Sequence, residues 1–110
     1  MSDTLARLYF GQPSTSNGTL YTTPGSTNTT PKAVVRSIHA CNTTANTATL
    51  TLALNGTAAT AANQILGTFS IPAYGLFAQS LNLVLNETDT IQGLQGTSGA
   101  ITLVISGVTL

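Results

Sequence analysis

The sequence has 110 residues, enough for one domain with one hydrophobic core and too few for two. Only 5% of them are charged, compared with about 25% in ordinary globular proteins, and three cations balance three carboxylates. Three dispersed cations cannot neutralise the roughly six phosphates that typical nucleic-acid affinity requires, and no apolar run approaches the roughly 20 residues of a membrane-spanning helix. We therefore expect neither a nucleic-acid nor a membrane partner.

The first third of the chain predicts three strands, at Leu5 to Phe10, Thr19 to Thr23 and Ala33 to Cys41. Gly, Pro, Asn and Ser, which tolerate turn dihedrals, fill the stretches between them. In residues 33–41 the apolar side chains fall on both parities, which indicates a strand covered on both faces.

Residues 1–32 can be interpreted in two ways. Residues 17–31 have little with which to fill a core, so 1–32 could be an extended arm and loop region, with Leu5 to Phe10 completing the sheet of a neighbouring subunit. The alternative is that Leu5 to Phe10 is simply the first edge strand of its own sheet.

The rest of the chain alternates Leu or Ile with Thr, Ser or Asn, a period of two that is typical of half-buried antiparallel strands. The alternation is clearest from Ala48 to Leu54 and returns at 65–71, 81–85 and 101–106. A short further strand is predicted from Thr88 to Gly93. Only Thr57 to Asn63, with its alanines, could hold a helical turn.

Short strands at nearly even spacing predict the all-β class, as one antiparallel β-sandwich of seven or eight strands. We expect it to be jelly-roll-like and to span residues 1–110 as a single domain. The low charge indicates a surface that neighbouring subunits cover, because Lys, Glu and Asp are depleted at buried interfaces. The alternative is that hydroxyls and amides keep a monomer soluble. The candidate interface residues are Leu5, Leu8, Tyr9, Phe10, Leu20, Tyr21, Tyr74 and Phe77.

No set of residues predicts catalysis, a metal or a cofactor. His39 and Cys41 share a face of a predicted strand, but a zinc site needs three or four ligands, and we expect Cys41 to be a buried thiol. Glu87 and Asp89 lie in a predicted turn, where solvated carboxylates are ordinary. We therefore predict a protein that is not an enzyme. Cys41 is the only cysteine and the N-terminus lacks the pattern of a secretory signal, so we expect synthesis in a cytoplasm.

Four stretches carry a resemblance to a known class of proteins: LYFGQPSTSNGTLYTTP at 8–24, VVRSIHACNTTANTATLTLAL at 34–54, SLNLVLNETDTIQGLQG at 80–96 and AITLVISGVTL at 100–110. Together they resemble the small Thr-rich β-sandwich virion proteins of tailed bacteriophages. The shared motifs are structural: a Cys-Asn after a strand, an Asp before an Ile-containing strand, and a terminal Ile-Ser-Gly. They offer no catalytic residue to carry over.

This resemblance implies a component of a phage particle, made in the host bacterial cytoplasm and located in the virion. The leading expectation is a capsid decoration or cement protein that reinforces the head, contacts the major capsid protein and forms a homo-oligomer, with a trimer as the expected form. The alternative is a tail, neck or baseplate component that contacts tail or neck proteins. A third class is a carbohydrate-binding β-sandwich module, for which Tyr21 and Tyr74 are the candidate aromatic residues.

Overall fold

The computed structural model describes residues 4–56 and 62–110, and all the regular structure in these ranges is β-strand. The eight strands are β1 (Thr4–Gly11), β2 (Gly18–Thr22), β3 (Pro31–Asn42), β4 (Ala48–Leu54), β5 (Gln64–Ile71), β6 (Leu76–Asn86), β7 (Thr90–Gln95) and β8 (Ile101–Thr109). The predicted all-β class is confirmed.

The strands form two four-stranded antiparallel sheets, which we call sheet A (β1-β8-β3-β6) and sheet B (β2-β7-β4-β5). The first strand pairs with the last, the second with the seventh, the third with the sixth and the fourth with the fifth. A long antiparallel ribbon gives this nested pairing when it wraps around a core, with successive strand pairs alternating between sheets. This is the jelly-roll form of the β-sandwich, as the sequence predicts.

Several strand boundaries differ from the predicted ones, among them the starts of β6 and β7. β6 begins at Leu76, five residues before the predicted alternation, because its first residues pair with β3 from Cys41 onward. β7 spans Thr90–Gln95 instead of beginning at Thr88, which lies in the preceding turn. Residues 57–61 of the predicted helical turn lie outside the described residues.

β1 is an edge strand of its own chain's sheet. It pairs with β8 from Thr4 to Gly11, with a bulge between Arg7 and Tyr9. The same backbone pairing is what an exchanged arm would use with a second chain, so exchange between subunits stays a prediction.

The core consists of aliphatic side chains from alternate positions of both sheets. Leu50 and Leu52 of β4 and Ile101, Leu103 and Ile105 of β8 are fully buried. The phenylalanines and tyrosines lie at its periphery or on the surface. The Leu, Ile and Thr alternation that predicts the strands therefore also predicts the residues that hold the two sheets together.

Two buried amides tie the loops at one end of the sandwich. The Asn42 side chain donates to the backbone oxygens of Ile71 (3.0 Å) and Pro72 (3.1 Å) and accepts from the Thr44 backbone N–H (3.0 Å). The Gln95 side chain accepts from the Ile101 backbone N–H at 2.7 Å. Because these buried amides bond backbone groups of neighbouring loops, they hold the loops together at this end of the sandwich.

Candidate functional site

A row of apolar side chains crosses the outer face of sheet A. Val34 of β3 lies directly opposite both Val84 of β6 and Val108 of β8, and Val108 lies opposite Leu5 of β1. Opposed residues in an antiparallel sheet point to the same face, and Leu85, next to Val84, is fully buried, so these four point outward. Leu5 is 85% exposed and Val84 52%. We call these four residues the apolar row; it extends from one edge of the sheet to the other.

The neighbouring row on the same face is polar and basic. Arg7 of β1 lies opposite Ser106 of β8, which lies opposite Ser37 of β3. The pairing shifts between Arg7 and Tyr9 on one side of β8 and between Val35 and Ser37 on the other, so both neighbours of β8 have a bulge at this level. Arg36 is the extra residue of the β3 bulge and is exposed. Bulges redirect side chains, and these two bring both arginines to one depression.

We call this depression the arginine groove; it has a volume of about 540 Å³ and is lined by Leu5, Ala6, Arg7, Arg36, Ser106 and Gly107. The central strand contributes only a serine and a glycine, so no bulky side chain fills it from below. The flanking strands contribute Arg7 and Arg36. The groove adjoins the apolar row, because Leu5 belongs to both.

A third row continues beyond the groove. Phe10 lies opposite Val104, which lies opposite His39. The Arg7 guanidinium carbon is 5.1 Å from the centroid of the Phe10 ring, within cation–π distance. This contact holds the Arg7 side chain over an aromatic ring that is itself 62% exposed.

The eight predicted interface residues occupy different environments. Leu5 and Phe10 lie on the outer face of sheet A, and Tyr74, which is 71% exposed, lies in the turn between β5 and β6. Leu8 lies in the core. The other four are partly buried and pack against the core: Tyr9, Leu20, Tyr21 and Phe77.

The tyrosines bear on the carbohydrate-binding alternative. Tyr21 lies in β2, within the strand predicted from Thr19 to Thr23, and pairs with Ile91 of β7. Burial raises the pKa of the Tyr21 hydroxyl, as it does for Tyr9. Of the two aromatic residues proposed for a sugar surface, only Tyr74 is on an exposed turn.

Sequence reasoning missed Val34, Val84 and Val108 of the apolar row. Val34 lies between the buried Ala33 and Val35, and Val84 precedes the buried Leu85, whereas Val108 has Gly107 and Thr109 as its neighbours. An apolar residue at an outward position of the period-two pattern was the available signal, since a strand with one solvated face would carry a polar residue at that position. Leu76, at the start of β6, was also missed and is 58% exposed.

The residues considered for chemistry do not form a site. His39 is exposed and Cys41 is partly exposed on the outer face of sheet A, so the expectation that Cys41 is buried is wrong. The bulge at Arg36 places Ile38 and Ala40 toward the core and the intervening residues outward. Within 4–56 and 62–110, no three of His, Cys, Asp and Glu lie close enough together to hold a metal ion.

Asp89 is not the solvated turn carboxylate that the sequence predicts, since it is only 7% exposed. It accepts hydrogen bonds from the Asn28 (2.7 Å) and Asn55 (3.0 Å) side chains and from the Asn86 backbone N–H (2.9 Å). Burial alone raises the pKa of this carboxyl, but the three hydrogen bonds outweigh burial and lower the pKa below its ordinary value. Asp89 therefore joins three turns at the end of the sandwich opposite Asn42.

Comparisons with protein-family models, with curated proteins and with solved structures find no match for this chain. Among the described residues there is no helix with the length and apolar character needed to cross a membrane.

Proposed function

We propose that this chain is a non-enzymatic structural subunit of a tailed-phage virion, and that it decorates and reinforces the capsid. The observation that carries the proposal is the apolar row, which crosses all four strands of sheet A in a chain with only 5% charged residues. Exposed apolar side chains in register across a sheet offer a broad surface for another protein. The absence of net charge leaves little repulsion between subunits.

The jelly-roll fold is compatible with this role. Jelly rolls form viral capsid proteins, but also lectins and cupins, so topology alone does not specify a function. Two features besides the topology support the proposal: the apolar row and the resemblance of four stretches of the sequence to small virion proteins.

The test is to purify virions of the phage that encodes the chain and to quantify their proteins by mass spectrometry. A decoration protein should be present at a copy number comparable with that of the major capsid protein, and it should fractionate with heads. Virions that lack the chain would refute the proposal.

The same experiment distinguishes the tail, neck or baseplate alternative. A tail component should be present in few copies per particle and should fractionate with isolated tails. A carbohydrate-binding module would instead bind a glycan array, and Tyr74→Ala would abolish that binding. The exposure of the Tyr74 ring on a turn is the observation that favours a carbohydrate-binding module.

A further inference from the structure

We infer that the arginine groove binds a carboxylate side chain of a partner protein, and that the surface around this carboxylate is apolar and covers the apolar row. The inference deepens the proposed function, on which it rests for naming the partner as another virion protein. It adds the chemistry of the contact and the two residues that select the partner.

The geometry of the groove favours a carboxylate. Neighbouring strands lie about 4.8 Å apart, so the backbones of β1 and β3 are roughly 10 Å apart across β8. Arg7 and Arg36 extend from these two strands and line the same depression, over Ser106 and Gly107. A guanidinium donates two parallel hydrogen bonds to a carboxylate, so a carboxylate bound between the arginines would have charged donors on both sides.

Charge complementarity argues against a second copy as the occupant. Of this chain's carboxylate side chains in the described ranges, Asp89 is buried and bonded to three groups. Glu87 accepts hydrogen bonds from the Ser26 backbone N–H and the Thr27 hydroxyl. A second copy docked through the same face would also bring its own two arginines to the interface. The occupant we infer is therefore a different protein with a free carboxylate.

The apolar row argues for a protein and against a nucleic acid. A phosphate backbone would pair with the arginines but would leave Leu5, Val84 and their neighbours against a polar ligand. A protein surface with one Asp or Glu beside Leu, Val or Phe satisfies both parts of the face at once. The apolar contact supplies burial and the ion pair supplies orientation.

The first experiment uses the full chain, labelled with nitrogen-15, and two synthetic probes. One is an acetylated, amidated peptide that alternates leucine and glutamate; the other is the same peptide with glutamine in place of glutamate. The glutamate peptide should shift the amide signals of Arg7, Ser106 and Gly107, and the glutamine peptide should bind at least about tenfold more weakly. Equal binding of the two peptides, or shifts elsewhere on the chain, would overturn the inference. So would a duplex oligonucleotide that binds the groove more tightly than the glutamate peptide.

Matched variants distinguish binding in the arginine groove from a general attraction to positive charge. Arg7→Gln and Arg36→Gln should each weaken binding of the glutamate peptide by about tenfold. Lys32→Gln removes the same unit of charge from β3 but does not line the groove, and it should change the affinity by less than about twofold. If Lys32→Gln weakens binding as much as Arg36→Gln does, the attraction is general and the groove is not the site.

A second experiment tests the partner. Virions of a phage that lacks the gene are mixed with purified wild-type, Arg36→Gln or Lys32→Gln protein and sedimented. The wild type and Lys32→Gln should sediment with the particles, and Arg36→Gln should not. If all three bind equally, the groove inference fails while the proposed function stands. If the glutamate peptide binds the groove but no protein binds the particles, the proposed function fails and the carboxylate chemistry stands.

Discussion

Replacing Asp89 by asparagine tests whether one buried charge holds three turns together. The variant keeps the shape of the side chain, but an amide has only one oxygen. Whichever way it is turned, its NH₂ group faces a donor, either the side chains of Asn28 and Asn55 or the backbone N–H of Asn86. Hydrogen bonds to a charged group contribute about 1.5–3 kcal/mol each, and a buried unpaired donor is costly.

We therefore expect Asp89→Asn to lower the free energy of unfolding at pH 7 by about 2–4 kcal/mol. For a domain near this size, this corresponds to a decrease in melting temperature on the order of 10 °C. Urea unfolding followed by circular dichroism measures the free energy directly. A decrease below about 0.5 kcal/mol would mean that the network does not stabilise the fold.

The dependence on pH gives an independent check. The pKa of Asp89 is lower in the folded chain than in the unfolded chain. Its stabilising contribution is therefore fully present above the unfolded pKa of about 3.9 and is lost as the pH falls through the folded pKa. The unfolding free energies of wild type and Asp89→Asn should converge in acid. Curves that remain parallel down to about pH 2 would refute the reasoning.

Glu87→Gln is the matched control for this experiment. Glu87 is in the same turn, but its two hydrogen bonds are long, at 3.3 and 3.4 Å. We expect its removal to cost less than about 1 kcal/mol at pH 7 and to leave the acid dependence of the wild type in place.

Three further predictions concern the core, the β8 backbone and the oligomer. Leu52→Ala should lower the free energy of unfolding by about 2–5 kcal/mol in urea, because Leu52 is fully buried. Gly107→Ala should destabilise the fold, since a Cβ there would collide with the Val34 backbone oxygen, whereas Gly18→Ala has its nearest neighbour at 4.0 Å and should melt close to the wild type. Sedimentation equilibrium should give three times the 11.2 kDa chain mass, and a strict monomer would contradict the expected trimer.

The alternation of side chains was enough to predict the strands but not their partners. β4 and β8 follow a period of two, and burial follows it closely in β8. Pairing between Leu5 and Val108 joins opposite ends of the chain, and no local pattern contains that information. The sequence therefore predicts two packed sheets, and only the structure gives the nested order of their strands.

β3 shows why the alternation of side chains alone did not predict the outward position of Arg36. Val35 and Ile38 both face the core although they are three residues apart, because Arg36 is an extra residue in a bulge. Read as a simple alternation, this segment has apolar residues on both parities and predicts cover on both faces. The spacing of three was the available signal for the bulge, and with it for the outward position of Arg36.

Asp89 was misjudged for a different reason. A carboxylate between Thr88 and Thr90 in a turn is ordinarily solvated, and its partners Asn28 and Asn55 are 61 and 34 residues away. Asn42 and Asp89 each bond loop residues, at opposite ends of the sandwich, through contacts distant in sequence.

The few charged side chains are unevenly distributed, with Glu87 and Asp89 in a different part of the molecule from Arg7 and Arg36. Glu87 and Asp89 bond residues of the loop between β2 and β3, whereas Arg7 and Arg36 point to solvent on sheet A. A surface with no net charge favours association but does not select a partner. Two guanidiniums beside an apolar row do select one, because like charges are repelled and a carboxylate is attracted to a single place. The low charge of this chain therefore makes the two arginines of the groove more decisive than they would be on an ordinary protein surface.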